Sequence, residues 1–304
     1  MRLAVFTEPQ QGATYAALSR VARHAETLGF HAFFRSDHFL NIGPGDGLPG
    51  PTDAWVTLGA LAVETSTIEL GTLVSSATFR LPGPLAIAVA QVDVMSDGRV
   101  TFGLGTGWYD GEHTAYGIPF PPLAERFERL EEQLQIITGL WATPSGETFD
   151  FSGRHYSLAG SPGLPKPVQD PHPPVIVGGA GRRRTPRIAA TYGDEINVPF
   201  ASVDRTRAVY DAAAAACDEV GRERTRPLTR SAAQTIACGR TDAEARRRAD
   251  AIGQLPPIHG TPAQVVDQLG GFADIGADRV MLQILDLDDL DHLDVIAAEV
   301  LPQL

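Results

Sequence analysis

The residues able to do chemistry crowd into the stretch from Gly105 to Tyr116. Gly105, Thr106 and Gly107 end a short apolar run, and Trp108, Tyr109, Asp110, Glu112, His113 and Tyr116 follow at once. Glycines there let another surface approach the backbone. Glu112 and His113 form an acid–histidine pair able to supply a proton, or equally to cap a short helix after the loop. Trp108 and Tyr109 can stack on a substrate or wall a pocket. Upstream, Asp37-His38 offers a histidine that can bond a cofactor or shuttle a proton near neutral pH, or that is simply held in place by Asp37 or backbone. Downstream, Val177-Gly178-Gly179-Ala180-Gly181-Arg182-Arg183-Arg184-Thr185 runs from a strand through glycines into a helix. Such a turn presents free amides and the positive helix end to an anion, and its arginines can add charge-assisted bonds to phosphate. The alternative is a tight turn beside a solvated arginine cluster. A second cluster, Arg246-Arg247-Arg248, has Asp242, Glu244 and Asp250 nearby and reads as a solvated, ion-paired face.

The elements that must position these groups alternate between short apolar strand and amphipathic helix. Strands are predicted over 2–7, 30–35, 68–74, 100–104, 175–177, 195–198, 231–237 and 279–284. Helices are predicted over 15–28, closed by Gly29, then after an Asp53 cap, and over 84–95, 121–140, 185–192, 203–220, 242–252, 262–275 and 290–301. The Gly- and Pro-rich segment 141–174 breaks this rhythm, carries a hairpin about Ser152-Gly153, and reads as an insertion within one domain spanning 1–304. Eight strand–helix pairs over this length match a (β/α)8 TIM barrel with insertions, whose active sites lie at the C-terminal strand ends. A doubly wound sheet is the alternative, but Thr7-Glu8-Pro9-Gln10 gives no Gly-x-Gly-x-x-Gly after the first strand. In a barrel, one face collects Glu8, Asp37-His38, Ser75-Ser76, Gly105 to Gly107, Gly178 to Gly181, Asn197 and Gln283.

Composition narrows the class. The chain of 304 residues is 43% hydrophobic, with a formal charge of −12. That charge argues against nucleic acid and for a small-molecule partner. No apolar run reaches membrane-spanning length and no signal region follows the start, so no membrane association and a cytoplasmic location are expected. Cys217 and Cys238 show no ligand spacing, so no metal is expected. Lys166 is the sole lysine among the 25 basic residues.

Several ordered motifs carry a family resemblance. They are Arg35-Ser36-Asp37-His38-Phe39, Leu70 to Ser75, Ser96 to Gly105, Gly107 to Pro119, Phe151 to Tyr156, Pro165 to Gln169, Pro173 to Ala180 and Gly193 to Asn197. Together they resemble the bacterial luciferase-like oxidoreductase superfamily, in particular its branch using the deazaflavin coenzyme F420. The resemblance implies F420, or alternatively FMN, with its ring in the barrel mouth, and a homodimer, with the fourth-helix region as a possible interface. It implies Asp37 and His38 near the ring and Leu73, Val74 and Ser75 supporting one ring face, often through a non-proline cis peptide. Gly105, Thr106 and Gly107 would line the pocket, and Gly178, Gly179 and Ala180 would meet the phosphate. Trp108 stands where sugar-phosphate dehydrogenases of the superfamily carry an acid, and lysines for a sugar phosphate are missing. The expected function is hydride transfer between F420 and a small organic substrate, with His38, Glu112 and His113 as catalytic candidates and Trp108 and Tyr109 in the substrate pocket. The alternatives are an FMN-dependent luciferase-type monooxygenase and a non-catalytic flavin or deazaflavin carrier.

Overall fold

In the computed structural model, which describes residues 1–43, 45–222 and 226–304, eight parallel strand positions close on themselves. In chain order the first half comprises β1 (Arg2–Thr7), α1 (Tyr15–Thr27), β2 (Ala32–Arg35), α2 (Ala54–Glu64), β3 (Glu69–Thr72), β4 (Ser75–Ser76), α3 (Pro82–Met95) and β5 (Val100–Gly105). Next come α4 (Asp110–Tyr116), α5 (Leu123–Ala142), the hairpin strands β6 (Phe149–Ser152) and β7 (Ser157–Ser161), and β8 (Val175–Gly178). The chain continues through α6 (Arg184–Tyr192), β9 (Glu195–Pro199), α7 (Val203–Glu219), β10 (Thr229–Cys238) and α8 (Asp242–Ala251). It ends with β11 (Ile258–Gly260), α9 (Pro262–Asp274), β12 (Arg279–Ile284) and α10 (Leu290–Glu299). β12 pairs with β1, and β9 with β10, which shuts the ring. The fold is the expected (β/α)8 barrel with extra strands.

The helices start where local chemistry dictates. Thr14 caps α1 by accepting from the Ala17 amide, and Asp53 caps α2 by accepting from Trp55 and Val56, each cap satisfying donors that the helix itself leaves open. The hairpin falls where the sequence places it, although its second strand runs on to Ser161. The predicted strand over 68–74 is a correction. It stops at Thr72, makes a cis peptide between Leu73 and Val74, and resumes as β4 against β5. The helix α4 is the short helix that the sequence allows around Glu112 and His113, while the three-residue β11 is an addition, too short to show periodicity.

Strand alternation sorts the barrel interior into layers. At the N-terminal end, buried Arg279 lies between Glu195 and Glu69, its Nε 3.0 Å from Glu195 and its Nη1 2.8 Å from Glu69. His31 reaches the other Glu69 oxygen at 3.0 Å. Above this ionic layer sits an apolar plug containing Ala4, Phe34, Ile176, Ala233 and Met281. Val74 enters the interior over positions without side chains. A Cβ on Gly103 would lie 2.1 Å from the Thr72 carbonyl oxygen and 2.8 Å from Val74, and one on Gly105 would lie 2.9 Å from Val74.

Two outcomes follow for stability. Gly103→Ala forces backbone or Val74 to move and is expected to cost at least about 1–3 kcal/mol, read as a lower urea midpoint; an unchanged midpoint contradicts this packing. Burial pushes the Glu69 carboxyl up, but His31, Arg279 and Thr101 outweigh it and hold it at about 2, against an ordinary 4.5. A depressed folded-state value stabilises above the unfolded value and is lost as pH falls through the folded one. The stability contribution from Glu69 should therefore be complete above about pH 4.5 and vanish towards pH 2. Unfolding of Glu69→Gln across that window should lack this component; the wild-type slope in the variant would contradict it.

Candidate active site

Above the apolar plug the barrel opens at its C-terminal end into a cavity of about 370 Å³. β1 supplies Phe6 and, just past its end, Glu8; the end of β2 leads to Ser36, Asp37 and His38. The break after β3 supplies Leu73 and Val74, followed by Ser75 and Ser76 of β4, and β5 leads through Gly105, Thr106, Gly107 and Trp108 to Glu112 on α4. Gly178, Gly179, Asn197, Pro199, Phe200 and Ala233 complete the wall. Its size falls within the range of about 300–1,000 Å³ that holds small molecules, and its surface is mainly apolar with few polar groups, as in such sites. No lysine or arginine is among these lining residues.

Each polar wall group has a distinct environment. Buried Glu112 accepts from His38 Nδ1 at 2.9 Å and from the Phe39 amide at 2.9 Å. A carboxylate on Nδ1 fixes the proton there and leaves Nε2 as the histidine's exchangeable position. Trp108, 62% exposed, meets the His38 ring edge-on at 5.7 Å and stacks on Tyr109 at 5.4 Å. Asp37 is committed elsewhere: Ser75 donates to it at 2.8 Å, and Arg80 binds both of its oxygens. Arg80 also pairs with Asp53, and although burial opposes its charge, these two carboxylates hold it protonated above its ordinary range. Behind them Arg35 is fully buried; burial lowers it to about 10, and it donates to Thr52 and Thr57.

The loop after β5 is held from outside. Gly107 has φ +74, and a Cβ there would lie 2.3 Å from Ser76 Oγ. Arg126 of α5 donates to the Gly107 carbonyl, and its guanidinium lies 4.0 Å from the Phe120 ring centre.

Three expected site residues lie off the cavity. His113 is buried, with Nδ1 2.6 Å from the Tyr109 carbonyl and Nε2 2.6 Å from Thr78 Oγ1. The carbonyl can only accept, so Nδ1 carries a proton, and the two contacts tie α4 to the loop after β4. Tyr109 donates its hydroxyl to Asn41 O at 3.2 Å and stands behind the wall, against the rings of Trp108 and His38. Ala180 packs against the outer core. The Arg246-Arg247-Arg248 face also needs correcting. Arg248 is buried, reaching Asp289 at 2.7 Å, Asp291 at 2.8 Å and the Cys238 carbonyl. Glu244 also pairs with Arg248 at 3.0 Å, as helix spacing predicts, and Arg246 and Arg247 stay exposed, whereas the partners on and beside α10 are remote in sequence and invisible to helix spacing.

Phe6, Pro199, Phe200 and Ala233 went unmarked by sequence. Inward alternation along β9, from Glu195 through Asn197 to Pro199, is the signal that finds Pro199. Phe200 has φ +50 and is 48% exposed at the rim, which no local motif announces.

The sequence pattern of the luciferase-like monooxygenases matches residues 1–257. The chain belongs to this family. An F420-dependent glucose-6-phosphate dehydrogenase from Microbacterium testaceum is 39% identical over 172 residues, 55% of this chain and 49% of that protein. This chain thus spans about half the length of that curated relative. Among solved structures, an F420-dependent secondary alcohol dehydrogenase with an F420–acetone adduct superposes with TM-score 0.84 at 18% identity, covering 99% of this chain and 98% of that one. The FMN-bound oxygenating component of 3,6-diketocamphane monooxygenase from Pseudomonas putida superposes with TM-score 0.78 at 19% identity, with 99% and 98% covered. At these identities the two structures share the fold.

The His38–Glu112 contact has a direct check. In wild type, the histidine ring nitrogen spectrum should show His38 with its proton on Nδ1; Glu112→Ala should abolish that preference. An unchanged tautomer in the variant would contradict the contact.

Proposed function

We propose that this chain is an F420-dependent oxidoreductase that exchanges a hydride with a small organic substrate in the barrel cavity. The observation carrying this reading is His38, fixed through Nδ1 by buried Glu112, on an otherwise mainly apolar cavity whose wall is cleared of side chains at Gly105, Gly178 and Gly179. The relatives named for F420 support the cofactor class. A Cβ on Gly178 would lie 3.1 Å from Val74, so the wall is tight where a planar ring would rest on the Val74 side. When bound, the cofactor supplies the hydride chemistry; the protein supplies binding, orientation and proton handling.

In this reading Val74 and the glycines hold the ring, and His38 Nε2 takes or gives the proton that accompanies the hydride. Glu112 is the positioning residue that fixes the imidazole, Asp37 organises the wall through Ser75 and Arg80, and His113 is structural. The phosphate belongs at the turn after β8. The Gly179 amide is already donated to Asn197 O at 2.9 Å, so the amides after it and exposed Arg182 and Arg183 would meet the anion. The substrate is an uncharged or weakly polar molecule bounded by Trp108 and Phe200. A sugar phosphate is disfavoured because the cavity wall offers carboxylates and no cation, while Lys166 is spent on the Leu140 carbonyl at 2.7 Å.

We further propose a homodimer. Val56 and Val63 lie seven residues apart on α2, Ile87 and Val94 seven apart on α3, and all four are exposed. This spacing gives each pair one helix face, and α2 and α3 pack side by side. These apolar faces favour α2 and α3 over the fourth-helix region expected from sequence.

Fluorescence titration with F420 and with FMN tests the cofactor. Saturable F420 binding is expected; FMN binding alone, with oxygen-dependent product formation, favours a monooxygenase, and binding of neither overturns the reading. His38→Ala should keep F420 binding but lower hydride turnover about 100-fold, whereas equal turnover would leave His38 without a catalytic part. In sedimentation, Val63→Glu with Val94→Glu should shift a dimer to folded monomer; a wild-type monomer contradicts the assembly.

A further inference from the structure

Glu8 stands in a wall between two spaces. On one side it lines the barrel cavity with His38. On the other it lines a hollow of about 420 Å³ outside the rim, between Gly12, Ala13, Ala17 and Arg20 around α1 and Leu285 to Asp288 after β12. Glu8 is the only lining residue these two spaces share. Its carboxylate has no cationic partner among the described residues. Gln11 Nε2 approaches it at 3.3 Å, and Gln11 is itself clamped to Ile42 through both carboxamide atoms, at 2.8 and 3.1 Å. Burial raises the Glu8 carboxyl above its ordinary value, against the opposing pull of Gln11, His38, Gln283 and Gln10.

The other cavity carboxylates are spoken for, Asp37 by Arg80 and Ser75, and Glu112 by His38 and the Phe39 amide. His38 has one exchangeable nitrogen. The charged groups on the outer side are Asp286, Asp288 and Arg20, and Arg20 is paired with Asp288 at 2.5 Å. A half-buried carboxyl without a fixed counter-charge, with one face to each space, is suited to carrying a proton between them.

We propose that Glu8 is the proton port of this barrel, exchanging with bulk water through the hollow behind α1 and with the reacting space through the cavity. This rests on the reading of the cavity as the site of a tricyclic redox cofactor, which with substrate closes the mouth to water. In the reducing direction the hydride reduces the substrate as the cofactor is oxidised. The Glu8 O–H bond breaks as a new bond to hydrogen forms on the substrate, directly or through His38 Nε2. Water in the hollow then reprotonates the carboxylate. Oxidation runs the same steps backwards, one proton leaving for each hydride.

The test is a stopped-flow pH jump followed in the infrared, with Glu8→Gln subtracted so that the remaining carboxyl signal is that of Glu8. Free protein and F420-saturated protein are compared, with binding checked by fluorescence in the same samples. Wild-type Glu8 should respond in the saturated protein within about twofold of its free rate. Ala17→Phe, which fills the outer hollow, should slow the saturated response about tenfold or more, and Ala13→Phe serves as a second plug from the same hollow. A Glu8 that stops responding once F420 is bound, or plugs that slow it in neither state, would overturn the proposal. Failure of F420 to bind overturns the cofactor reading itself. The port falls with that reading, since free protein exchanges through its open mouth whatever fills the hollow.

Discussion

Val74 occupies space that missing side chains leave open, and the architecture of the site depends on that exchange. Strand β3 stops at Thr72, the chain turns Val74 into the barrel, and β4 resumes pairing with β5. Gly103 and Gly105 on β5 and Gly178 on β8 are the positions where a Cβ would crowd Val74. The inserted side chain becomes a shelf at mid-barrel, and the cleared strands beside it become a smooth wall. Close packing makes such an arrangement intolerant of even one added methyl. The same break carries Ser75 to Asp37, so the polar wall and the shelf are placed by one backbone feature.

Charge is distributed unequally along the barrel axis. The N-terminal end buries Arg279 against two carboxylates and closes the floor with an ionic layer. At the C-terminal end every arginine near the site is used behind the wall: Arg80 on Asp37 and Asp53, Arg35 on Thr52 and Thr57, Arg126 on the Gly107 carbonyl. Those arginines stiffen the loops while the cavity surface stays free of positive charge. A cavity built this way suits a flat, weakly polar ring and substrate better than a dianionic one. Exposed cations lie outside it, among them Arg182 and Arg183 after the β8 turn.

Much of the scaffold was legible because its signals are local. Gly29 and Asp53 punctuate helices, and the eight apolar strand runs are separated by amphipathic segments of the right length. Candidate site residues were legible as strand-end positions, and the stretch from Gly105 to Tyr116 lines the cavity through Gly105, Thr106, Gly107, Trp108 and Glu112. What escaped depends on tertiary contact. His113 and Glu112 are adjacent in sequence, yet helix α4 turns one towards Thr78 and the other towards His38. Arg248 pairs with Glu244 as its helix spacing implies, but looked solvated because its further partners Asp289 and Asp291 lie some forty residues away. The break at Leu73–Val74 has no local marker, since Leu, Val and Ser all suit a strand; the family resemblance implied it, and the glycines on two other strands explain why it fits.

The central claim is that this glycine-cleared cavity holds a deazaflavin ring against Val74, beside His38. A crystal structure of the protein with F420 tests it most directly. The account predicts the ring within the barrel mouth, one face on Val74, with His38 Nε2 beside it and the phosphate at the turn after β8. A ring bound outside the barrel, or bound within it away from Val74 and His38, would contradict the account.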